Sequence, residues 1–67
     1  MKRCKKCGER PFFKRTVEKN KKGEHSDFVF VECKCGCQGP HIEYNAKKHK
    51  DEDLEYLEAA EAWNKEN

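Results

Sequence analysis

Two cysteine knuckles constrain this chain more than anything else in it. Cys4-Lys5-Lys6-Cys7-Gly8 stands near one end, and Cys33-Lys34-Cys35-Gly36-Cys37 near the middle. Two pairs of thiolates separated by about two strands' length of sequence can close a tetrahedron around Zn²⁺. A glycine after the second cysteine of a knuckle permits a left-handed turn, which lets nearby amides point at the sulfurs.

The chain needs such a staple. It has 67 residues, 34% of them hydrophobic, and a mean hydropathy of −1.27. Length and composition indicate one small domain, spanning residues 1–67, whose core alone supplies only a few kcal/mol. A structural zinc site contributes roughly 10–16 kcal/mol in peptides. Folding and metal binding are therefore expected to be one event.

Other uses of cysteine fit less well. The count of five is odd, and no apolar signal segment follows Met1, so a secreted disulfide framework is disfavoured. A redox Cys-x-x-Cys belongs at a strand-to-helix junction, whereas Cys4 and Cys7 precede a strand. No apolar run has transmembrane length. The expectation is a reducing cytoplasm, with no membrane partner.

The modest net charge of +2 hides an asymmetry. Residues 1–22 hold ten Lys/Arg against Glu9 and Glu18, whereas the remainder holds five Lys against eleven acids. The two halves can be solvated faces that keep the protein soluble. They can also be two partner surfaces, a basic one for nucleic acid and an acidic one for a basic protein.

Pro11 to Val17 reads as a strand, with Phe13, Arg15 and Val17 alternating against Phe12, Lys14 and Thr16. Glu18 to Ser26 reads as a polar hairpin loop. Phe28-Val29-Phe30-Val31 is apolar on both faces, as expected of a central strand covered on one side by a helix. It leads directly into Cys33. His41 to Tyr44 is a candidate short third strand after the Gly39-Pro40 turn.

Asp51 or Asp53 can cap a final helix of good helix formers, with Leu57, Ala60 and Trp63 on one stripe and Leu54 and Tyr56 flanking it. Asn64 can end it in the left-handed conformation. The predicted architecture is α+β: a small zinc ribbon-like domain with a β-hairpin or three-stranded sheet, two Cys knuckles and a C-terminal helix. Its strands cover about 11–17 and 27–33, with a short one at 41–44 and a helix at about 53–64. Trp63 is expected to pack over the sheet and knuckles. Of Phe12 and Phe13, one should face the core; the other, among Arg10, Lys14 and Arg15, can stack on a base or simply lie under a loop.

The order of these pieces resembles the Lar-type restriction alleviation proteins, small proteins of phages and prophages. The shared features are Cys4, Cys7 and Gly8; Val31 and Cys33; the Cys35-Gly36-x-x-Gly39-Pro40 turn; and Glu58, Ala59, Glu61, Ala62, Trp63 and Asn64. Two positions depart from the family pattern. Lys5 stands where proline is usual, and Cys33 and Cys35 are separated by one residue rather than two.

Matching the turn makes Cys35 the fourth ligand beside Cys4, Cys7 and Cys33. The longer Cys33–Cys37 loop makes Cys37 the alternative. His41 lies close enough in sequence to replace a thiolate, whereas His25 and His49 read as surface residues in polar loops.

A zinc held by four thiolates is structural. No phosphate loop or nucleophile–base pair accompanies it, since Ser26 and Thr16 are the lone hydroxyl residues besides tyrosine. The expectation is a non-enzyme without a small-molecule substrate. The resemblance implies a phage-type zinc protein that modulates host type I restriction–modification by protein contact. Glu52, Glu55, Glu58 and Glu61 are the candidate contact residues. The alternatives are a nucleic-acid-binding module using Lys5, Lys6, Lys14 and Arg15, or an adaptor acting on host transcription.

Overall fold

A computed structural model describes residues 1–50 and 53–67. Strand β1 (Phe12–Lys19) and strand β2 (His25–Glu32) form an antiparallel hairpin, and β3 (Ile42–Glu43) pairs with the far side of β2. The sheet order is β1-β2-β3, and helix α1 (Leu54–Glu66) packs across one face. This is the expected α+β zinc ribbon-like arrangement, with the three-stranded form of the sheet.

The hairpin is longer than expected. Glu18, Lys19, His25 and Ser26 belong to the strands, and the turn occupies residues 20–24. Asn20 explains why. Its Oδ1 accepts the amides of Lys22 and Glu24, and its own amide donates to the Glu24 carbonyl at 2.8 Å. One asparagine thus folds the turn and lets the ladder run to its edge.

Register sorts the two apolar faces of β2. Phe13, Arg15 and Val17 lie opposite Val31, Val29 and Asp27 on the face beneath the helix. Phe12, Lys14 and Thr16 share the other face with Glu32, Phe30 and Phe28. Val29 and Val31 are fully buried with Cys4, Cys33, Ala59 and Trp63. Phe13 points to the helix side, its ring edge-on to Tyr56 at 5.2 Å. Phe30 is covered on the opposite face by His41, stacked at 4.0 Å.

The helix is rotated from the expected stripe. Glu55, Ala59 and Trp63 are buried, while Leu57 is 58% exposed. At about 100° per residue, Ala59 and Glu55 lie about 40° and 80° from Trp63, but Leu57 lies about 120° away. Trp63 fixes the buried direction because it is the largest side chain, and its Nε1–H donates to the Lys2 carbonyl at 2.8 Å. Ala59 follows, because its small side chain lets the helix approach β2. Gly39 completes the fit: a Cβ there would lie 3.4 Å from the Trp63 ring.

The helix ends also differ. Asp53 occupies the N-cap without a side-chain cap bond, and Asp51 lies outside the described residues. Asn64 remains helical, and Asn67 is the C-cap, its amide donating to the Trp63 carbonyl. Asn64 and Asn67 instead accept the backbone amides of Lys2 and Lys5 at 2.8 and 3.0 Å. These bonds fasten the end of the helix to the first knuckle.

Candidate metal centre

Each knuckle is a tight turn closed by its own backbone. In the first, the Gly8 amide donates to the Cys4 carbonyl at 2.8 Å and the Cys4 amide to the Glu9 carbonyl at 3.1 Å. In the second, the Gly36 amide donates to the Cys33 carbonyl and the Cys33 amide to the Cys37 carbonyl, both at 2.9 Å. Gly8 and Gly36 have φ of 72° and 98°, a left-handed region that a side chain would strain. Gly36 follows Cys35, so Cys35 occupies the position in its knuckle that Cys7 holds in the first.

The two turns meet sulfur to sulfur. Sγ of Cys4 lies 3.7 Å from that of Cys35, and Sγ of Cys7 lies 2.9 Å from that of Cys33. All four sulfurs fall within 4.8 Å of one another. Metal–sulfur bonds of about 2.3 Å in a tetrahedron put sulfurs about 3.8 Å apart. The Cys4–Cys35 distance matches that edge, whereas the Cys7 and Cys33 sulfurs stand closer than it, and a bound metal would spread them. The four side chains therefore form a cluster that can hold a metal ion, with Cys4 and Cys33 buried and Cys7 and Cys35 at the surface.

Backbone amides prepare the cluster for a cation. The amides of Cys7 and Lys6 bring the Cys4 thiol down to about 6. The Cys37 amide lowers the Cys35 thiol in the same way. The Cys7 thiol is pushed up to about 12, chiefly by the hydrogen bond it shares with Cys33. A metal held by all four sulfurs needs all four deprotonated, so the protons on Cys7 and Cys33 would be released as it enters. Lys5, Lys6 and Lys34 lie within the knuckles and would partly offset the two net negative charges that four thiolates would leave around a divalent ion.

Cys37 lies outside this set of four. It is half-buried against the core, and its thiol is raised to about 11, mainly by its hydrogen bond to Cys35. Its sulfur serves as a donor to Cys35 rather than as a member of the cluster.

None of the three histidines belongs to the four-cysteine cluster. His25 is exposed at the start of β2. His41 stacks on Phe30, with Glu18 and Gln38 oxygens 3.3 and 3.2 Å from its ring nitrogens. His49, expected at the surface, is 4% exposed. The Asn45 amide donates to its Nδ1 at 2.9 Å, leaving Nε2–H to donate to Glu58 at 2.7 Å. Those two bonds satisfy both ring nitrogens, which is what allows the imidazole to be buried.

The expected charged surfaces are regrouped. Lys14 pairs with Glu32 at 3.4 Å and Arg15 with Asp27 at 3.6 Å, on opposite faces of the sheet, so the two do not share one nucleic-acid surface. Lys5 and Lys6 remain exposed. Glu55 is buried with Oε2 unpartnered among the described residues, so it cannot meet a partner protein. Glu58 is held below the usual carboxylate range by Lys48 at 2.8 Å and by His49. Glu61 is exposed, and Glu52 lies outside the described residues.

Sequence reasoning missed the Lys48–Glu58–His49 tie and the bracing asparagines. No periodicity marks either. The Asn45-to-His49 spacing of one helical turn was the available hint.

Fold and site together define a small α+β domain built around a four-cysteine cluster. No protein-family model, curated protein or solved structure matches the chain. Among the described residues, no helix is long and apolar enough to cross a membrane.

Proposed function

We propose that this chain is a zinc-stapled regulatory module that acts by contact with another macromolecule rather than by catalysis. The four-cysteine cluster carries this reading. Once Cys4, Cys7, Cys33 and Cys35 hold Zn²⁺, no coordination position remains for water or substrate, and the ion acts as a staple. The knuckle amides and the left-handed glycines support a site shaped for thiolates.

The resemblance to Lar-type proteins supports the host type I restriction–modification complex as the partner. The contact stripe moves to the outward face of α1. There Asp53, Leu57 and Glu61, spaced four apart, are all exposed. An exposed leucine between acids suits the basic surface of a DNA-handling enzyme. The test is affinity capture from a bacterial host lysate treated with nuclease and washed at moderate salt. Recovery of restriction–modification subunits, lost with Leu57→Lys, supports the reading. Their absence from a zinc-loaded, folded bait refutes it.

A second reading has its own observation. Lys2, Arg3, Lys5 and Lys6 are exposed and form no ion pair among the described residues. Lys5, Lys6 and Lys65 line a groove of about 480 Å³ beside Trp63 and Gln38. Phosphate binding there should weaken with salt, by about 0.9 log units in K per decade for each phosphate contacted on duplex DNA. Absence of binding at low salt eliminates it.

A further inference from the structure

The outer edge of β1 is a long hydrogen-bonding surface with no strand partner among the described residues. β1 has eight residues, and only its β2 side is paired among the described residues. Backbone direction on that edge follows from β2. The carbonyls of Val31 and Asp27 accept the amides of Gly39 and Tyr44, on the side of β2 away from β1. In an antiparallel pair, their opposite residues Phe13 and Val17 must then point outward as well, and so must Arg15 and Lys19. Four amides and four carbonyls are thereby presented to whatever lies beyond.

The edge is flanked by apolar surface on both faces. Phe13, beside Leu57 on the helix side, is 41% exposed, Val17 on the same face of the sheet is 61% exposed, and Phe12 is 44% exposed on the other. A long, open edge with exposed aromatics is a template for another strand unless charge blocks it. Here the charges select a partner.

We propose that β1 pairs with β1 of a second copy of this chain, antiparallel and about a two-fold axis at Thr16. Symmetry leaves few registers, and their charges separate them. An axis at Arg15 sets two arginines face to face, and an axis at Lys14 sets two lysines so. An axis at Val17 puts Arg15 opposite the partner's Lys19, twice. Only the axis at Thr16 puts Lys14, which also faces its own Glu32, opposite the partner's Glu18, which also faces its own His41, twice, with Thr16 opposite the partner's Thr16 between them.

These are the closely spaced, non-hydrogen-bonded positions, because Lys14, Thr16 and Glu18 turn their own amides toward β2. Arg15 meets the partner's Val17, and Phe13 lies diagonal to the same valine. Pro11 ends the ladder before Arg10 can meet the partner's Lys22. The product is a continuous six-stranded sheet with both helices on one face and the two cysteine clusters at opposite ends.

The test is sedimentation equilibrium of the zinc-loaded chain across a concentration series. The expected mass is twice 7.9 kDa, falling to 7.9 kDa on dilution. Val17→Pro removes an outward amide without touching the β2 ladder, and should give a monomer that keeps its zinc and its amide spectrum. K14E and E18K each place like charges opposite one another at two symmetric positions, and each should weaken association about tenfold or more.

A mixture of the K14E and E18K chains should form the heterodimer, because one carries acids and the other bases at both positions. A wild-type chain that stays monomeric at high concentration overturns the proposal. So does a dimer indifferent to V17P, or a K14E and E18K mixture that associates no better than either alone. If V17P fails to hold zinc, the mixing experiment decides.

Discussion

Glu55 offers a prediction in which opposing effects can be weighed. The side chain is 4% exposed in the helix–sheet interface, and its Oε2 has no partner among the described residues. Burying a polar oxygen without a hydrogen bond costs about 1–3 kcal/mol. Glu55 also sits in the first turn of α1, where a carboxylate gains about 0.3–1 kcal/mol from the helix dipole. Replacing it with Met, similar in length and apolar, removes both terms. Desolvation is the larger, so Glu55→Met should stabilise the domain by about 1 kcal/mol or more. For a domain of this size, that raises Tm by about 4–8 °C per kcal/mol. Glu55→Gln keeps the shape and leaves an amide unpartnered, so it should gain nothing. Thermal unfolding at one fixed free-zinc concentration measures both, because bound metal itself moves Tm. A lower Tm for Glu55→Met would refute the reasoning and mean that the carboxylate is engaged by a partner.

Three further outcomes follow from the site. Cys35→Ser should strip the metal and, with it, the dispersed amide spectrum, whereas Cys37→Ser should keep one zinc per chain; equal zinc content in the two variants would contradict the ligand assignment. The Cys4 thiol is lowered from 9.0 to about 6, so its contribution to stability is complete above the unfolded value and is lost as pH falls through about 6. Protons compete with metal for the same sulfur, so zinc content and Tm should decline together in that acid range, and a Tm unchanged between about pH 8 and about pH 5 would contradict it. His49→Ala removes a buried ring, opens a cavity and leaves the Asn45 amide without its acceptor; a loss of about 2 kcal/mol is expected in chemical unfolding, and a change below about 0.5 would show that the tie to Glu58 is dispensable.

Much of the fold was legible because the informative residues carry strong local chemistry. Cysteine pairs followed by glycine announce turns with sulfur at the tip, and Phe28 to Val31 can only be a covered strand. Trp63 is large enough to be buried wherever the helix lies. The helix phase was not legible. Leu57 and Ala60 look more buriable than Glu55, but Ala59 permits a closer approach, and the knuckle claims the far end of Trp63. The charge pattern misled for the same reason: sequence counts acids and bases without revealing that Lys14, Arg15 and Glu58 are already paired. Nor does it show that a strand alternates Lys14 and Arg15 onto separate faces. The fourth cysteine became distinguishable through backbone geometry, since Gly36 turns left-handed immediately after Cys35.

The hydrogen bonds from Lys2 to Asn64, from Lys5 to Asn67 and from Trp63 to Lys2 span 61 or 62 positions. They bind residues in and beside the first knuckle to residues made some sixty positions later. During vectorial synthesis, the first knuckle therefore leaves the ribosome long before its brace exists. All four sulfurs are available once Cys35 has emerged, but the wall of Ala59 and Trp63 that shields Cys4 and Cys33 is not. Closing so large a loop is slow compared with hairpin formation. In that interval the sulfurs lack their cover, so a metal ion offered then would meet a more open site than one offered to the folded domain.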